Sequence, residues 1–416
     1  MARVALERES LKERALRLHS ENQGKLAVAS KVSLRTQDDL SLAYSPGVAE
    51  PCKQIAANTE DVYRYTSKGN IVAVISDGSA VLGLGNIGPE AGLPVMEGKS
   101  LLLKAFAGVD SFPLVLSTQI PEEIIATAKA VAPTFGGINL EDISAPRCFE
   151  IERRLRQELQ IPVFHDDQHG TAIVVAAGLQ NALKLVGKAI DQIRVVVEGA
   201  GAGGMAVANL LLDLGVTDLI MTDTKGTIYA GRTVGMNPFK EEMAARTNPR
   251  MVKGHLADAL READVFVGLS VGGTTTGEMV ASMRSAPIVF ACSNPDPEIW
   301  PDEAKAAGAA IVGTGRSDYP NQLNNVLAFP GVFRGALDVR AREINEAMKR
   351  AAVQAIADLV SPAELTPDYI IPGPFDRRVA PAVAAAVAAA AIASGVAREP
   401  KEPAWVAENC RRLVGE

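Results

Sequence analysis

The chain has 416 residues, of which 47% are hydrophobic and 22% are charged, as in an ordinary globular protein. This length exceeds what a single hydrophobic core usually supports, so we expect two domains. The formal net charge of -7 argues against a nucleic-acid-binding surface, which requires clustered cations. The expected partners are therefore small molecules or further copies of the chain.

The N-terminal sequence predicts one or two surface helices over residues 4–30, because its charges alternate at helical spacing without the apolar core of a signal peptide. Near the other end, the alanine-rich stretch 380–397 is too weakly apolar to span a bilayer and predicts a packed helix, with no membrane partner. The four cysteines show no C-x-x-C spacing, which argues against a zinc cluster or a disulfide framework. A cytoplasmic protein is expected.

Strand and helix patterns alternate in the first third of the chain. The run N-I-V-A-V-I-S predicts a buried strand that turns at Asp77-Gly78 into the glycine-rich segment G-L-G-N-I-G. A further strand and a helix are predicted at 111–117 and 121–132. The glycines indicate a segment that something approaches closely, so this α/β unit is expected to line a cleft.

A second alternating pattern starts near residue 193 and predicts a doubly wound sheet. Its helices are predicted at 203–215 and 255–261, and its strands at 193–198, 218–222, 264–268, 287–291 and 309–313. One long amphipathic helix is predicted around 339–360. The expected fold is α/β, with an N-terminal catalytic domain (1–165), a Rossmann-like dinucleotide-binding domain (166–369) and C-terminal helices (370–416) that return to the first domain.

The segment I-R-V-V-V-E-G-A-G-A-G-G-M-A predicts a dinucleotide site at Gly199, Gly201 and Gly204, although a glycine-rich turn can be purely structural. A buried strand precedes it and a helix follows, which is the arrangement that cradles a pyrophosphate. Asp223 lies 19 residues beyond Gly204, where a carboxylate accepts hydrogen bonds from adenosine ribose hydroxyls. This favours NAD⁺, while the nearby Lys225 keeps NADP⁺ as the alternative.

Three carboxylates from two segments predict a metal site: Glu141, Asp142 and Asp167. An exposed acidic pair is usually only solvated. Asp167, however, follows Asp166 between an apolar strand and an apolar helix, where adjacent acids are costly unless they are paired or bind metal. Oxygen ligands suit Mg²⁺ or Mn²⁺. The neighbouring His165 and His169 leave zinc as an alternative, with loop packing as their ordinary role.

Several other side chains have a functional and an ordinary interpretation. Lys99 precedes an apolar helix and could act as a base if its pKa is lowered, whereas most lysines are solvated. Tyr44 could be an acid or a rim residue. Asn294, Asn324 and Asn325 fall in loops where the cofactor cleft is expected, but asparagine is also a common turn residue.

Six motifs occur in an order that resembles the malic enzyme family, in its short bacterial and archaeal form, from about residue 40 to 390. They are Y-S-P-G-V-A-E-P-C, G-L-G-N-I-G-P-E-A-G-L-P-V-M-E-G-K, N-L-E-D-I, V-F-H-D-D-Q-H-G-T-A, S-N-P-D-P-E and N-Q-L-N-N-V-L-A-F-P-G-V-F-R-G-A-L-D. The resemblance implies oxidative decarboxylation of (S)-malate to pyruvate and CO₂ with NAD(P)⁺ and a divalent metal. It also implies a homodimer and activity on oxaloacetate.

The resemblance assigns roles to individual residues. The catalytic tyrosine and lysine of the family match Tyr44 and Lys99, and Asp166 is expected to support the lysine. The metal ligands match Glu141, Asp142 and Asp167, and the substrate asparagines match Asn294 and Asn325, of which Asn294 is also expected at the cofactor.

The sequence departs from the family pattern in one contact. Larger relatives carry an arginine before G-L-G that grips a malate carboxylate, where this chain has Ser79-Ala80; we expect Ser79 or backbone N–H groups to replace it. We expect no phosphotransacetylase-like domain. The rival hypotheses are a malolactic or other 2-hydroxy-acid dehydrogenase on the same scaffold, and a catalytically silent dinucleotide sensor.

Overall fold

Residues 10–415 are described by the computed structural model, and they begin with a series of short helices. The first helix starts at a capping box, in which Ser10 and Glu13 each bind the backbone N–H of the other. It falls within the predicted surface region 4–30, of which residues 4–9 lie outside the described part. The four helices are α1 (Leu11–Asn22), α2 (Gln37–Ala43), α3 (Ala49–Ala57) and α4 (Val62–Tyr65).

A four-stranded parallel sheet forms the core of the first unit. Both faces of a parallel sheet are covered, which is why its strands were recognisable as continuous apolar runs. Its elements are β1 (Ile71–Ser76), α5 (Pro89–Ala107), β2 (Asp110–Val115), α6 (Pro121–Val131), β3 (Gly137–Leu140), α7 (Arg147–Glu158) and β4 (Val163–His165). The spatial order is β2-β1-β3-β4.

A long helix, α8 (Asp166–Val186), starts directly after β4 and leads to the second unit. Most of its side chains are buried, and it ends at Gly187, whose φ of +66° is the left-handed conformation that glycine adopts readily. Because α8 begins at the edge of the first sheet, its first turn belongs to the cleft between the units.

The second unit contains a six-stranded sheet in the order β10-β9-β8-β5-β6-β7, parallel except for β7. The reversal of strand order at β5 creates the crevice where such sheets bind ligands. Its elements are β5 (Arg194–Glu198), α9 (Ala202–Asp213), β6 (Asp218–Asp223), β7 (Gly226–Thr227), α10 (Pro238–Arg246), α11 (Leu256–Leu260), β8 (Val265–Gly268), α12 (Gly277–Ala281), β9 (Ile288–Ala291), α13 (Pro301–Ala306) and β10 (Ile311–Thr314).

Four helices complete the described chain: α14 (Phe329–Asp338), α15 (Glu346–Asp358), α16 (Val379–Ala393) and α17 (Pro403–Val414). The helix predicted around 339–360 is present as α15, but it starts later than expected, at Glu346. Arg340 has a φ of +51°, which a right-handed helix cannot contain, and Asn345 caps a new helix by accepting from the N–H of Met348.

The C-terminal helices lie against the first unit and the connecting helix: α14, α16 and α17 contact α5, and α15 contacts α8. The α/β fold class with C-terminal helices is confirmed. Within residues 10–415, no helix combines the length and the apolar character needed to cross a bilayer.

Candidate active site

Acidic residues follow two neighbouring strands of the first sheet at the same edge. Leu140, the last residue of β3, is in register with His165, the last residue of β4. Glu141 and Asp142 therefore emerge beside Asp166 and Asp167. Parallel pairing, rather than sequence distance, brings these four carboxylates together.

The predicted metal ligands Glu141, Asp142 and Asp167 form one cluster, with a carboxylate oxygen from each lying within 4.8 Å of the others. Asp142 has a φ of +52°, and this turn lets adjacent side chains converge instead of pointing to opposite faces. Its N–H donates to Oδ2 of Asp167 over 2.8 Å. The all-oxygen donor set fits Mg²⁺ or Mn²⁺.

The two histidines differ in their surroundings. Nε2 of His169 lies 2.8 Å from Oε1 of Glu152, so this ring contacts a carboxylate outside the predicted metal cluster. His165 is buried, with Nδ1 3.7 Å from Oδ2 of Asp167. A carboxylate cluster with His169 turned elsewhere favours a hard cation over zinc.

Lys99 reaches the same cluster from α5. Its Nζ lies 2.5 Å from Oδ2 of Asp166 and 2.9 Å from Oε1 of Glu141. Burial lowers the pKa of Lys99, but the charges of Asp166, Glu141 and Asp167 outweigh it and hold the pKa above its ordinary value. The expected lowering is therefore absent in this arrangement. Burial raises the pKa of Asp166 to about 6, against the opposing effect of Lys99.

The net charge of the cluster favours binding of a cation. Glu141, Asp142 and Asp166 are buried, Asp167 is partly exposed, and the ammonium of Lys99 balances one of these four carboxylates. Burial and the charge of Asp167 raise the pKa of Glu141 well above its usual range. Uncompensated buried charge is unfavourable, so a divalent cation would restore the balance.

The two units meet at this cluster. Nδ2 of Asn325, which follows β10, donates to Oδ2 of Asp166 over 2.6 Å. Asn294 belongs to a loop that approaches the G-L-G segment, where a Cβ on Gly83 would lie 2.6 Å from the carbonyl oxygen of Asn294. Asn324 accepts from the N–H of Val326, which is the turn role.

The predicted dinucleotide loop has the geometry that its glycines require. Gly199 has a φ of +105°, and a Cβ there would lie 2.3 Å from the carbonyl oxygen of Leu269. A Cβ on Gly204 would lie 1.8 Å from the carbonyl oxygen of Gly199, whereas Gly201 faces open space. The loop therefore packs tightly at Gly199 and Gly204 and leaves Gly201 accessible to a pyrophosphate.

Asp223 has partners that sequence analysis missed. Its two oxygens accept four hydrogen bonds: from the N–H of Lys225, twice from Nη2 of Arg232 and from Nζ of Lys240, over 2.6 to 2.8 Å. A carboxylate has about four lone-pair positions, so no acceptor capacity remains for a ribose hydroxyl. Only 8% of this side chain is exposed.

Ser79 is also committed to protein partners. Its hydroxyl donates to Oδ1 of Asp77 over 2.5 Å and accepts from the N–H of Ser144 over 2.9 Å. Asp77 is held in turn by Nη2 of Arg147 at 3.0 Å. These contacts support a structural role for the Ser79 hydroxyl rather than the expected contact with a substrate carboxylate.

Tyr44 stands apart from the cluster. Its side chain is 68% exposed at the end of α2, and within residues 10–415 its hydroxyl forms no hydrogen bond. Lys99, by contrast, is enclosed. Within residues 10–415, no hydrogen bond joins the Tyr44 side chain to Lys99 or to the carboxylates around it.

Two supporting residues had no sequence signal of their own. Asn139, buried in β3, donates to Oε2 of Glu141 over 2.9 Å and so orients this carboxylate. Glu298, fully buried, accepts from the N–H groups of Ser270 and Ser293 and thereby ties together the loops after β8 and β9. Only the alternation of the strand around Asn139 could have indicated that it points to the site.

Comparison with known families agrees with this geometry. A model described as the malic enzyme N-terminal domain matches residues 23–122 and 117–156, and one described as the malic enzyme NAD binding domain matches residues 168–392. The chain belongs to the malic enzyme family. The matched regions cover the second unit and most of the first, which confirms the resemblance drawn from the motifs.

Individual relatives extend over nearly the whole chain. A bifunctional malic/malolactic enzyme of Bacillus subtilis is 62% identical over 98% of this chain and 100% of its own. An NAD-dependent malic enzyme of Geobacillus stearothermophilus is 56% identical, covering 91% and 79%. A crystal structure of malic enzyme from Pyrococcus horikoshii superposes with a TM-score of 0.93 at 50% identity, covering 97% and 96%. Other relatives are named NADP-dependent malic enzymes.

Proposed function

We propose that this chain oxidises and decarboxylates (S)-malate to pyruvate and CO₂, reducing NAD⁺ or NADP⁺ in the presence of Mg²⁺ or Mn²⁺. The observation that carries the proposal is the enclosed Lys99 among the carboxylates of Glu141, Asp166 and Asp167. The dinucleotide loop reaches the same segment, since a Cβ on Gly203 would lie 3.3 Å from the carbonyl oxygen of Asp167. This arrangement offers proton transfer and divalent-cation binding beside a coenzyme site.

Glu141, Asp142 and Asp167 would hold the cation, which as a Lewis acid polarises the C2 oxygen of the substrate. The loop of Gly199, Gly201 and Gly204 would hold the nicotinamide coenzyme, which would supply the acceptor for the C2 hydride. Lys99, whose ammonium donates to Asp166 over 2.5 Å, would act as the base by first giving a proton to Asp166 and then taking the proton of the C2 hydroxyl. Asn325 and Glu141 fix the positions of this pair.

Decarboxylation then breaks the C3–C4 bond, and the electron pair left at C3 becomes part of an enol when Lys99 donates a proton to the C2 oxygen. Tyr44 protonates C3, and Lys99 takes the proton back from the C2 oxygen as the ketone forms. Since these later steps begin from a 2-oxo acid, the same residues would also decarboxylate oxaloacetate. The Ser79 hydroxyl contributes by holding Asp77 and the Ser144 amide in place.

We infer that the working form is a homodimer in which Tyr44 serves the site of the partner copy. Helices α1, α2 and α3 contain no buried residue, which is unusual for helices of a folded monomer. The segment of residues 10–57 instead exposes a series of apolar side chains that a second copy would cover. They are Leu11, Leu16, Leu18, Val28, Val32, Leu34, Leu42 and Tyr44.

We propose that the coenzyme site accepts NADP⁺ as well as NAD⁺. Arg232 and Lys240 neutralise Asp223, which weakens the repulsion that a lone carboxylate exerts on a 2′-phosphate. Lys240 lines the same 260 Å³ cavity as Gly201 of the dinucleotide loop. A cation close to the dinucleotide loop supports binding of the extra phosphate of NADP⁺.

The test is a direct assay of the purified chain with malate, each coenzyme and Mn²⁺, in which reduced coenzyme, pyruvate and lactate are measured separately. Equal amounts of pyruvate and reduced coenzyme are expected. A chain that binds coenzyme but does not reduce it with malate would refute the proposal. Lactate without net coenzyme reduction would favour the malolactic alternative, which the bifunctional relative of Bacillus subtilis supports.

A further inference from the structure

Two carboxylates lie at the point where the strand order of the second sheet reverses. Glu198 ends β5, and its register partner in the neighbouring strand is Gly268, the last residue of β8. The carboxyl group of Glu298 packs against Gly268, where a Cβ would lie 2.4 Å from Cδ of Glu298. Both acids therefore lie at the base of the crevice in which a sheet of this kind binds its dinucleotide.

The hydrogen bonds of Glu298 are those of an anion. The residue is fully buried, and its carboxyl group accepts from the N–H groups of Ser270 and Ser293 over 2.9 and 3.1 Å and from the hydroxyl of Ser293. Every hydrogen bond is accepted and none is donated, as expected of an ionised carboxylate. This charge also acts on Cys292: burial raises the pKa of the thiol, and the charge of Glu298 raises it further.

No cation compensates this pair of acids. Within residues 10–415, neither Glu198 nor Glu298 forms an ion pair with lysine, arginine or histidine, and Glu198 accepts from the hydroxyl of Thr274 over 3.0 Å. Arg316 donates to a carbonyl oxygen of the loop after β9, but its charge is paired with Asp318 at 2.7 Å. Uncompensated charge in a weakly polar interior acts over a longer distance than charge in water, so the base of the crevice is negative.

The coenzyme changes its charge at one position when it is reduced. The nicotinamide ring is a cation in the oxidised form and neutral in the reduced form, whereas the phosphates keep their charge. Asp223 ends β6, where the adenosine half is expected, so the nicotinamide half would lie on the other side of β5, the side of β8 and Glu298. A fixed anion there attracts the oxidised ring and finds no charge to attract in the reduced ring.

We propose that Glu298, assisted by Glu198, makes the cleft selective for the oxidised coenzyme over the reduced one. Neither residue has to touch the coenzyme, because the effect is that of a fixed charge. Weaker binding of the reduced form would promote its release after each turnover. The inference rests on the proposed use of a nicotinamide coenzyme, and it assigns no step of the malate chemistry to either residue.

Calorimetric titration of the whole chain with NAD⁺ and with NADH, without malate, tests the inference. Glu298→Gln is nearly isosteric and removes one charge. The Kd for NAD⁺ divided by the Kd for NADH is therefore expected to rise about tenfold, the order of magnitude of one unit charge acting within a protein interior. Asp264→Asn is the control, since this buried carboxylate lies before β8, at the opposite edge of the same sheet, and should leave the ratio unchanged.

Glu198→Gln is the second variant, and it decides the question if Glu298→Gln does not fold. Burial raises the pKa of Glu198 to about 7 and the charge of Glu298 adds to this rise, against the hydrogen bond from Thr274. The carboxyl group is therefore mostly ionised at pH 8 and mostly neutral at pH 6. The ratio of the two Kd values should rise in Glu198→Gln at pH 8 and stay unchanged at pH 6.

Two results would overturn the inference. One is equal weakening of NAD⁺ and NADH binding in Glu298→Gln, which would mean that the residue only holds the loops in place. The other is a change of the ratio in Asp264→Asn as large as that in Glu298→Gln. A wild type that binds both coenzymes but does not oxidise malate would refute the proposed function and leave this inference intact, whereas a wild type that binds neither would overturn both.

Discussion

Lys99 donates to Oδ2 of Asp166 over 2.5 Å, and this contact joins helix α5 to the first residue of α8. Asn325 donates to the same oxygen, so three separated segments converge on one carboxylate. Gly170 makes room for it, since a Cβ there would lie 1.9 Å from Oδ1 of Asp166. The pair therefore couples the first unit, the connecting helix and the second unit at the point where proton transfer is proposed.

Replacing Lys99 with alanine is expected to lower kcat by about 10²–10⁴-fold, the range typical of a general acid–base group. Coenzyme affinity, measured by calorimetry, should change little because Lys99 contacts the carboxylates rather than the dinucleotide loop. Lys104→Ala on the same helix, an exposed lysine paired with Asp110, is the control and should retain activity. A fully active Lys99→Ala enzyme would remove Lys99 from the mechanism.

Chelation should abolish turnover, and Mg²⁺ or Mn²⁺ should restore it, because Glu141, Asp142 and Asp167 are hard oxygen donors. A second readout is stability, since a cation at 100 times its Kd stabilises the folded state by about 2.7 kcal/mol. Mn²⁺ should thus raise the Tm of wild type but not of Asp167→Asn. Glu122→Gln, an exposed acid, should respond like wild type. Undiminished turnover in EDTA, or dependence on zinc alone, would contradict the assignment.

Mixing two inactive variants tests whether Tyr44 acts on the partner. In a dimer of one Tyr44→Phe and one Lys99→Ala chain, the first chain keeps Lys99 and would receive an intact Tyr44 from the second. Random mixing should recover about a quarter of wild-type activity, because half of the two-fold symmetric dimers are mixed and each has one intact site. Recovery must depend on subunit exchange, and light scattering should give a dimer mass. No recovery in demonstrably mixed dimers would place both residues in one chain.

The sequence was sufficient for those parts of the site that depend on strand ends. Parallel strands recognisable as apolar runs bring their carboxyl ends to one edge, so Glu141, Asp142 and Asp167 could be placed together before the structure was known. Gly199 and Gly204 were predictable for a similar reason, since only glycine fits where a Cβ would meet a carbonyl oxygen at about 2 Å.

The remaining features depend on contacts that have no local pattern. Arg232 and Lys240 reach Asp223 from the loop and helix that follow β7, 9 and 17 residues away, so sequence analysis considered only Lys225. Helix α15 starts at Glu346 and not near residue 339, because Arg340 adopts a left-handed conformation that its residue type does not indicate. The exposure of Tyr44 became visible only once its neighbours were known.

Glu198 provides a test of pH dependence. Burial raises its pKa to about 7, with an opposing hydrogen bond from Thr274. The folded state then binds more protons than the unfolded state between the ordinary pKa of 4.5 and about 7. The contribution of Glu198 to the free energy of unfolding is therefore fully present at low pH, and it is lost as the pH rises through 7.

Replacing Glu198 with glutamine removes this titration. The variant is expected to be more stable than wild type at pH 8, by on the order of 1 to 3 kcal/mol, and nearly unchanged at pH 5. Urea unfolding at both pH values measures the difference, with Glu122→Gln as the exposed control. An equal change at pH 5 and pH 8 would mean that the effect comes from packing and not from charge.

We expect the preference between NAD⁺ and NADP⁺ to depend on the contacts of Asp223 with Arg232 and Lys240. Lys240→Gln removes one of the two cations that neutralise this carboxylate and frees a lone pair of Oδ2 for a ribose hydroxyl. Both changes favour NAD⁺ over NADP⁺. The ratio of kcat/KM for NAD⁺ to that for NADP⁺ is therefore expected to rise about tenfold, equivalent to about 1.4 kcal/mol.

Replacing Asp223 itself is expected to shift the preference in the opposite direction. Asp223→Ser removes the carboxylate and leaves Arg232 and Lys240 uncompensated beside the ribose, so the ratio should fall towards NADP⁺. Lys305→Gln, remote from the hairpin, should leave it unchanged. Parallel calorimetry with adenosine 2′,5′-bisphosphate and 5′-AMP shows whether the shift arises in binding. If Lys240→Gln leaves the ratio unaltered while Asp223→Ser changes it, the carboxylate alone selects the coenzyme and Lys240 serves only to hold the hairpin.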